Sequence, residues 1–434
     1  MKNILFYLIS HIFIITFFYT SSFCQENPKD KAKKYIENKQ YQKAIEIYEN
    51  ILADSTNDIE SQKTLAKLYS WVKKYSRSLE TYKKILAKYP KDYDIIFAIA
   101  QVFSWKGNND TAIKIYTKIT NESPDYIDAY TGLGRIYFWE KNYISSIHIL
   151  EKGLNRDPTN EDMINLMVDN YYLLGDYKKA KIYNKKLLKI NPESSIGLNY
   201  RKNLSLYSFD LTFGYDNVNI MENWKDGNIT FLYKPHKRFT AIFQGSSYKR
   251  FGKDDEQIST EIYVGLSQNL YFQSLLGFGT KNNFLPKQRF NGELSYNAGN
   301  GSVFNIGINL LNFPEELISI YTSGYTFYFP KYFFLDYKYY YSSGKEDIFN
   351  STHLMRLNYL IEKKIRISAG YAYGGEAFHI ISSQEVSNIK SHSYISYLTF
   401  WFNPSFGIRT LLSYTKRENT YKRTTINAGF IFNF

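Results

Sequence analysis

One cysteine, five methionines and ten prolines in 434 residues make an unusual balance, and the absences exclude whole classes of chemistry. The single cysteine, Cys24, stands at the end of an apolar leader, so once that leader is removed neither a disulfide framework nor a thiolate metal site is available. Beyond the leader no stretch reaches the eighteen or so uninterrupted apolar residues that a transmembrane helix needs, so any membrane span must be built of strands. There is no HExxH, CxxC, G-x-S-x-G or phosphate-cradling glycine loop. His353, His379 and His392, expected in outer loops, have no serine and acid arranged around them, and no enzyme or cofactor is expected. Acidic residues are also in deficit, 41 against 54 basic ones, for a formal charge of +13. In an exported chain that excess has no nucleic acid to meet, and faces anionic envelope polymers or lipids, or simply water.

What the chain has in abundance is aromatics, 42 Tyr and 32 Phe, concentrated in its second half. Both favour strands, and Tyr favours the boundary between water and lipid. The start of the chain reads as a secretory signal peptide over 1–24: Lys2, an apolar run from Ile4 to Tyr19, then Ser22-Phe23-Cys24-Gln25. Phe23 stands where a lipidation signal needs Gly, Ala or Ser, which argues for cleavage after Cys24 over lipidation of it.

From 25 to 195 the chain repeats every 34 residues. Ala44, Ser78, Ala112, Ser146 and Ala180 keep that step, as do Tyr35, Tyr69, Phe103, Tyr137 and Tyr171, and Pro90, Pro124, Pro158 and Pro192. This is the period of the tetratricopeptide repeat, a helix-turn-helix, and predicts five repeats with a degenerate fifth as the cap. Small residues are needed where the paired helices approach, aromatics fill the gap between repeats, and Pro stops the second helix. Trp71, Trp105 and Trp139 recur in register at the end of the first helix of repeats two to four. Two roles are open to them: sealing the inter-helix turn, or forming a ladder of indole faces for an extended polymer, with Lys67 and Arg135 nearby to suit a polar or anionic ligand.

After a linker over 196–204 the period changes to two. Tyr207, Phe209, Leu211, Phe213 and Tyr215 oppose Ser208, Asp210, Thr212, Gly214 and Asp216, and the pattern continues for fourteen segments over 205–434. Short turns alternate with longer polar loops, among them Gly252 to Glu256, which is the plan of an antiparallel membrane β-barrel with both chain ends on the short-turn side. A basic side chain facing lipid at mid-membrane costs about 2–4 kcal/mol. The charges within strands are therefore assigned to the lumen: Asp210, Glu261, Glu293 and Asp336, then Lys338, Arg356, Arg366 and Arg409. Their order puts acid on one wall and base on the other, either as a transverse field in a pore or as salt bridges that close it.

The terminal octet places Asn427, Gly429, Phe432 and Phe434 in a pattern that resembles the C-terminal assembly signal of outer-membrane barrels. Repeats with helix-ending Ser70-Trp71 and Ser104-Trp105, followed by such a barrel, resemble the YaiO-type outer-membrane β-barrel family. A similar architecture occurs in exporters of poly-N-acetylglucosamine and cellulose. The resemblance implies a non-enzymatic envelope protein that meets outer-membrane lipid and the barrel-assembly machinery, with its repeats in the periplasm. Export of a polysaccharide or similar polymer is one expectation. The other is a non-conducting anchor that docks periplasmic proteins.

Overall fold

The computed structural model describes residues 27–330, 332–343, 349–361, 364–375 and 389–434. The expected signal peptide lies outside the described residues.

Among the described residues eleven helices come first. They are α1 Pro28–Glu37, α2 Tyr41–Asp54, α3 Ile59–Trp71, α4 Tyr75–Lys88, α5 Tyr93–Trp105, α6 Asn109–Glu122, α7 Ile127–Trp139, α8 Tyr143–Arg156, α9 Glu161–Leu174, α10 Tyr177–Ile190 and α11 Ser195–Asn203. Their boundaries follow local chemistry. Asp58, Asp92, Asn108, Asn142 and Asp176 each accept a backbone N–H in the first turn of the helix they precede. Lys39, Lys73, Gly107, Lys141 and Gly175, all one repeat apart, adopt positive φ and turn the chain out of each first helix. Ala44, Ser78, Ala112, Ser146 and Ala180 are completely buried between helices, as their small size requires.

The linker expected over 196–204 is instead mostly α11. It starts one repeat length after α9, and Tyr200 Oη donates to Asp169 at 2.5 Å while Asn184 Nδ2 donates to the Gly197 carbonyl at 3.0 Å. Gly197 packs so closely on Leu188 that an added Cβ would lie 2.8 Å from its Cδ2. By internal contacts the chain divides at Leu166/Met167, so these last helices group with the strands.

The strands are β1 Tyr207–Val218, β2 Trp224–His236, β3 Phe239–Arg250, β4 Lys253–Gly265, β5 Leu270–Gly279, β6 Gln288–Asn297, β7 Ser302–Asn312, β8 Leu317–Tyr328, β9 Phe333–Ser343, β10 Phe349–Ile361, β11 Ile365–Gly374, β12 Ser391–Asn403, β13 Phe406–Arg417 and β14 Lys422–Asn433. Each pairs antiparallel with its neighbours, and β14 returns to β1 to close a fourteen-stranded barrel. Closure leaves no strand edge unpaired. The closing register sets Asp210 against Ile431 and Ser208 against Asn433, and Tyr207 and Phe434 exchange backbone hydrogen bonds.

The loop expected at Gly252 to Glu256 is a correction: Phe251 and Gly252, both at positive φ, make a tight turn and β4 begins at Lys253. His353 and His392 are likewise on strands β10 and β12, where each ring Nδ1 meets a Tyr hydroxyl, Tyr337 at 2.8 Å and Tyr371 at 2.7 Å. His379 lies outside the described residues.

Alternate residues face out, and the outer face is apolar. Phe213, Ile229, Phe243, Ile258, Leu276, Ile306, Leu357, Leu398, Leu412 and Ile426 are exposed around its middle. Exposed Tyr321, Tyr341, Tyr371, Tyr394 and Tyr414 lie toward the loop end, and Tyr296, Phe333, Phe402 and Phe434 toward the turn end. An apolar band between two aromatic girdles is the exterior of a barrel solvated by lipid.

Candidate binding sites in the repeat groove and the barrel lumen

The three indoles end α3, α5 and α7 and remain accessible, Trp71 at 39%, Trp105 at 43% and Trp139 at 54% exposure. Trp71 leans on the Tyr41 ring at 5.1 Å, and the Lys67 ammonium sits 5.1 Å above its face. Trp105 and Trp139 share a groove of about 290 Å³ with Phe97, Gln101, Asp128 and Arg135. Its floor is Tyr116, which enters because Gly132 has no side chain; an added Cβ would stand 2.8 Å from the Tyr116 Cζ. Burial pushes the Tyr116 phenol above its ordinary range, so it stays protonated. Arg135 reaches Asp162 at 3.8 Å, and both side chains are exposed. The groove therefore offers indole faces, neutral hydrogen-bonding groups and weakly held charges of both signs.

All eight charges assigned to the lumen occupy inward positions of the barrel register. Six of them pair. Asp336 and Arg356 are directly opposite on β9 and β10, with Arg356 Nε 2.9 Å from the carboxylate. Lys338 reaches Glu293 across β7 and β8, passing inward-facing Gly307 and Gly324, which pair in register with Glu293 and Lys338 respectively. Arg409 meets Asp210 over Gly429, whose added Cβ would lie 3.3 Å from the Arg409 Cγ and 2.6 Å from the Leu211 carbonyl oxygen. Glu261 accepts from Gln273 and from the Tyr263 hydroxyl. Arg366 has Asn358 at 3.4 Å and lies 5.5 Å above the Phe334 ring.

The two-walled division of charge is not kept. Arg250 on β3 and Arg289 on β6 stand in the half read as acidic, and Arg250 is buried beside Asp216 at 3.6 Å and over Trp224 at 4.5 Å.

Sequence reasoning also missed the apolar content of the lumen. Leu311, Ile318 and Ile320 face inward with Phe313 and Tyr340, Leu354 packs with Ala372 and Ile395, and Val218 with Trp224 and Tyr421, all in the loop-end half. Adjacent apolar pairs such as Leu310-Leu311 and Leu411-Leu412, where strict alternation wants one polar residue, were the available signal. Toward the turn end the lumen opens into a cavity of about 350 Å³ lined by Arg356, Arg366, Arg409, Asn358, Tyr397 and Thr399.

Residues 192–378 match the model of the YaiO membrane beta barrel domain. The chain carries a YaiO barrel. Two tetratricopeptide-repeat models match 35–102 and 162–194, so the YaiO barrel follows a repeat array. A barrel of this class places the protein in the outer membrane, and both matched families are of structural or binding type. Among curated proteins nothing matches. Solved repeat proteins resemble the array: one from Thermus thermophilus at 17% identity and TM-score 0.35, over 41% of this chain and 98% of that one. MamA matches at 20% identity and TM-score 0.32, over 38% and 96%. A Parabacteroides merdae repeat protein does so at 17% and 0.35, over 41% and 70%.

Proposed function

We propose that the protein takes part in exporting a polysaccharide or similar polar polymer, with the repeat array in the periplasm as the part that grips the chain. The observation that carries this reading is the groove shared by Trp105 and Trp139, continued along the array by Trp71. Indole faces stack on the apolar faces of sugar rings, and a row of them one repeat apart suits a chain better than a small molecule. A periplasmic array is supported by the first and last strands of the barrel both ending among the short turns, which in such barrels are usually periplasmic.

A second reading is favoured by one observation, the apolar packing around Tyr340 and Trp224 inside the lumen. A barrel filled in this way holds a protein in the membrane without conducting, and the array then docks periplasmic proteins.

Binding of neutral and acidic oligosaccharides to the full chain, read by calorimetry, tests the first reading. Replacing Trp105 and Trp139 by Ala should weaken glycan binding at least about tenfold, since truncating one aromatic that dominates binding costs more than about 1 kcal/mol, with the helical circular dichroism unchanged. No saturable glycan binding by the unaltered chain would leave the docking reading in its place.

A further inference from the structure

We infer that the turn-end cavity of the barrel is a binding site for an oxyanion, a carboxylate or phosphate group carried by a solute that enters the lumen. Three guanidinium groups, those of Arg356, Arg366 and Arg409, line one cavity of about 350 Å³. Two are answered by carboxylates set in the wall behind them: Asp336 holds Arg356 and Asp210 holds Arg409. Neither acid lines the cavity. Among the described residues the third is not answered. Among the described residues no carboxylate pairs with Arg366, whose nearest partners are the Asn358 amide oxygen at 3.4 Å and the face of Phe334 at 5.5 Å.

Among the described residues the balance of the cavity is therefore one positive charge, displayed in a half-enclosed space where a charge interaction is less screened than in water. A guanidinium is a planar fork of donors and matches the two oxygens of a carboxylate or phosphate in a bidentate contact. Asn358, Tyr397 and Thr399 stand in the same lining and add neutral donors. Arg356 and Arg409 are held in place by their own acids, so an arriving anion meets a preformed basic rim and completes it at Arg366. Lysines could carry the same charge without this geometry, and the choice of three arginines suits bidentate recognition of two oxygens of one oxyanion.

The cavity shares no residue with the indole groove, so substitutions in one leave the other intact. The full chain in a non-ionic detergent is titrated calorimetrically with inorganic pyrophosphate, with a trimer of galacturonate and with uncharged maltotriose. The two anions distinguish phosphate from carboxylate as the preferred source. The expected result is saturable binding of at least one anion and none of maltotriose at this site. Arg366→Gln should weaken that anion at least tenfold, Arg366→Lys less so, and Ala at Trp105 and Trp139 should leave it unchanged. Retained heat-modifiable migration on gels shows that each variant barrel is folded. Equal anion binding by wild type and Arg366→Gln, loss of it in the indole variant, or no saturable heat from either anion overturns the inference.

Discussion

The backbone N–H of Lys237, in the turn between β2 and β3, donates to the carbonyl of Gly175 at 2.9 Å, and the Lys237 ammonium reaches the Leu173 carbonyl at 3.3 Å. A β-bridge between Asp176 and His236 lies beside them. The last repeat is thus fastened to the turn end of the barrel. Gly175 permits it twice over: its φ of 81° is in the left-handed region, and a Cβ there would stand 2.3 Å from the Lys237 Cγ.

We predict that Gly175→Val releases this fastening at a cost of at least about 1 kcal/mol. Limited trypsin digestion at the neighbouring Lys178 and Lys179 should then run about fivefold faster, while the barrel's heat-modifiable migration is unchanged. Equal cleavage of both proteins would show that the contact contributes nothing to holding α10.

In the lumen, Asp336→Asn should leave Arg356 with a weaker partner and destabilise the barrel by about 1–3 kcal/mol. Arg356→Gln in the same protein should recover part of that loss, because no unanswered charge then remains. Urea unfolding of the four proteins of the cycle in micelles measures the coupling, and additivity would mean that the pair is not felt.

Gly429→Val should also weaken the barrel, by about 1–3 kcal/mol. Its side chain would take the space through which Arg409 reaches Asp210 and would press on the Leu211 carbonyl. Gly429→Ala should lie between the two. Melting followed by heat-modifiable migration reports this, and an unchanged midpoint for Val would refute it.

Steady current in a planar bilayer should be small for the full chain, because the loop-end half of the lumen is packed around Tyr340. Tyr340→Ala removes the ring shared by two apolar clusters and should raise the open current severalfold. A large steady current from the unaltered protein would contradict a packed lumen.

Acid should act on the array through Asp58. Lys29 at 2.6 Å and the Ser61 hydroxyl and amide hold its carboxyl at about 2. The folded value lies below the unfolded one of about 3.9, so the stabilisation is present above that pH and is lost as pH falls from about 4 through 2. In Asp58→Asn, helical ellipticity should change less across that window than in the parent. Identical acid titrations would remove Asp58 from the account.

Much of this architecture follows from local patterns. The 34-residue step is a property of helix length plus turn chemistry, so Trp71, Trp105 and Trp139 could be placed at helix ends before any contact was known. The inward parity of Asp210 through Arg409 followed from lipid's refusal of charge. α11 escaped because nine residues with few signature positions look like a linker; it is held by Asp169 and Asn184, far away in sequence.

Sequence by itself determined the repeat and the face a strand turns to lipid, because each depends on spacing along one segment; the count of fourteen rests on the closed pairing. Only the tertiary structure decided which charges meet, that Gly307 and Gly324 lie under the reach of Lys338 to Glu293, and that apolar clusters form inside the loop-end half of the lumen. Those outcomes depend on the stagger between strands around a closed barrel. Stagger is set by all fourteen pairings together and by none of them alone.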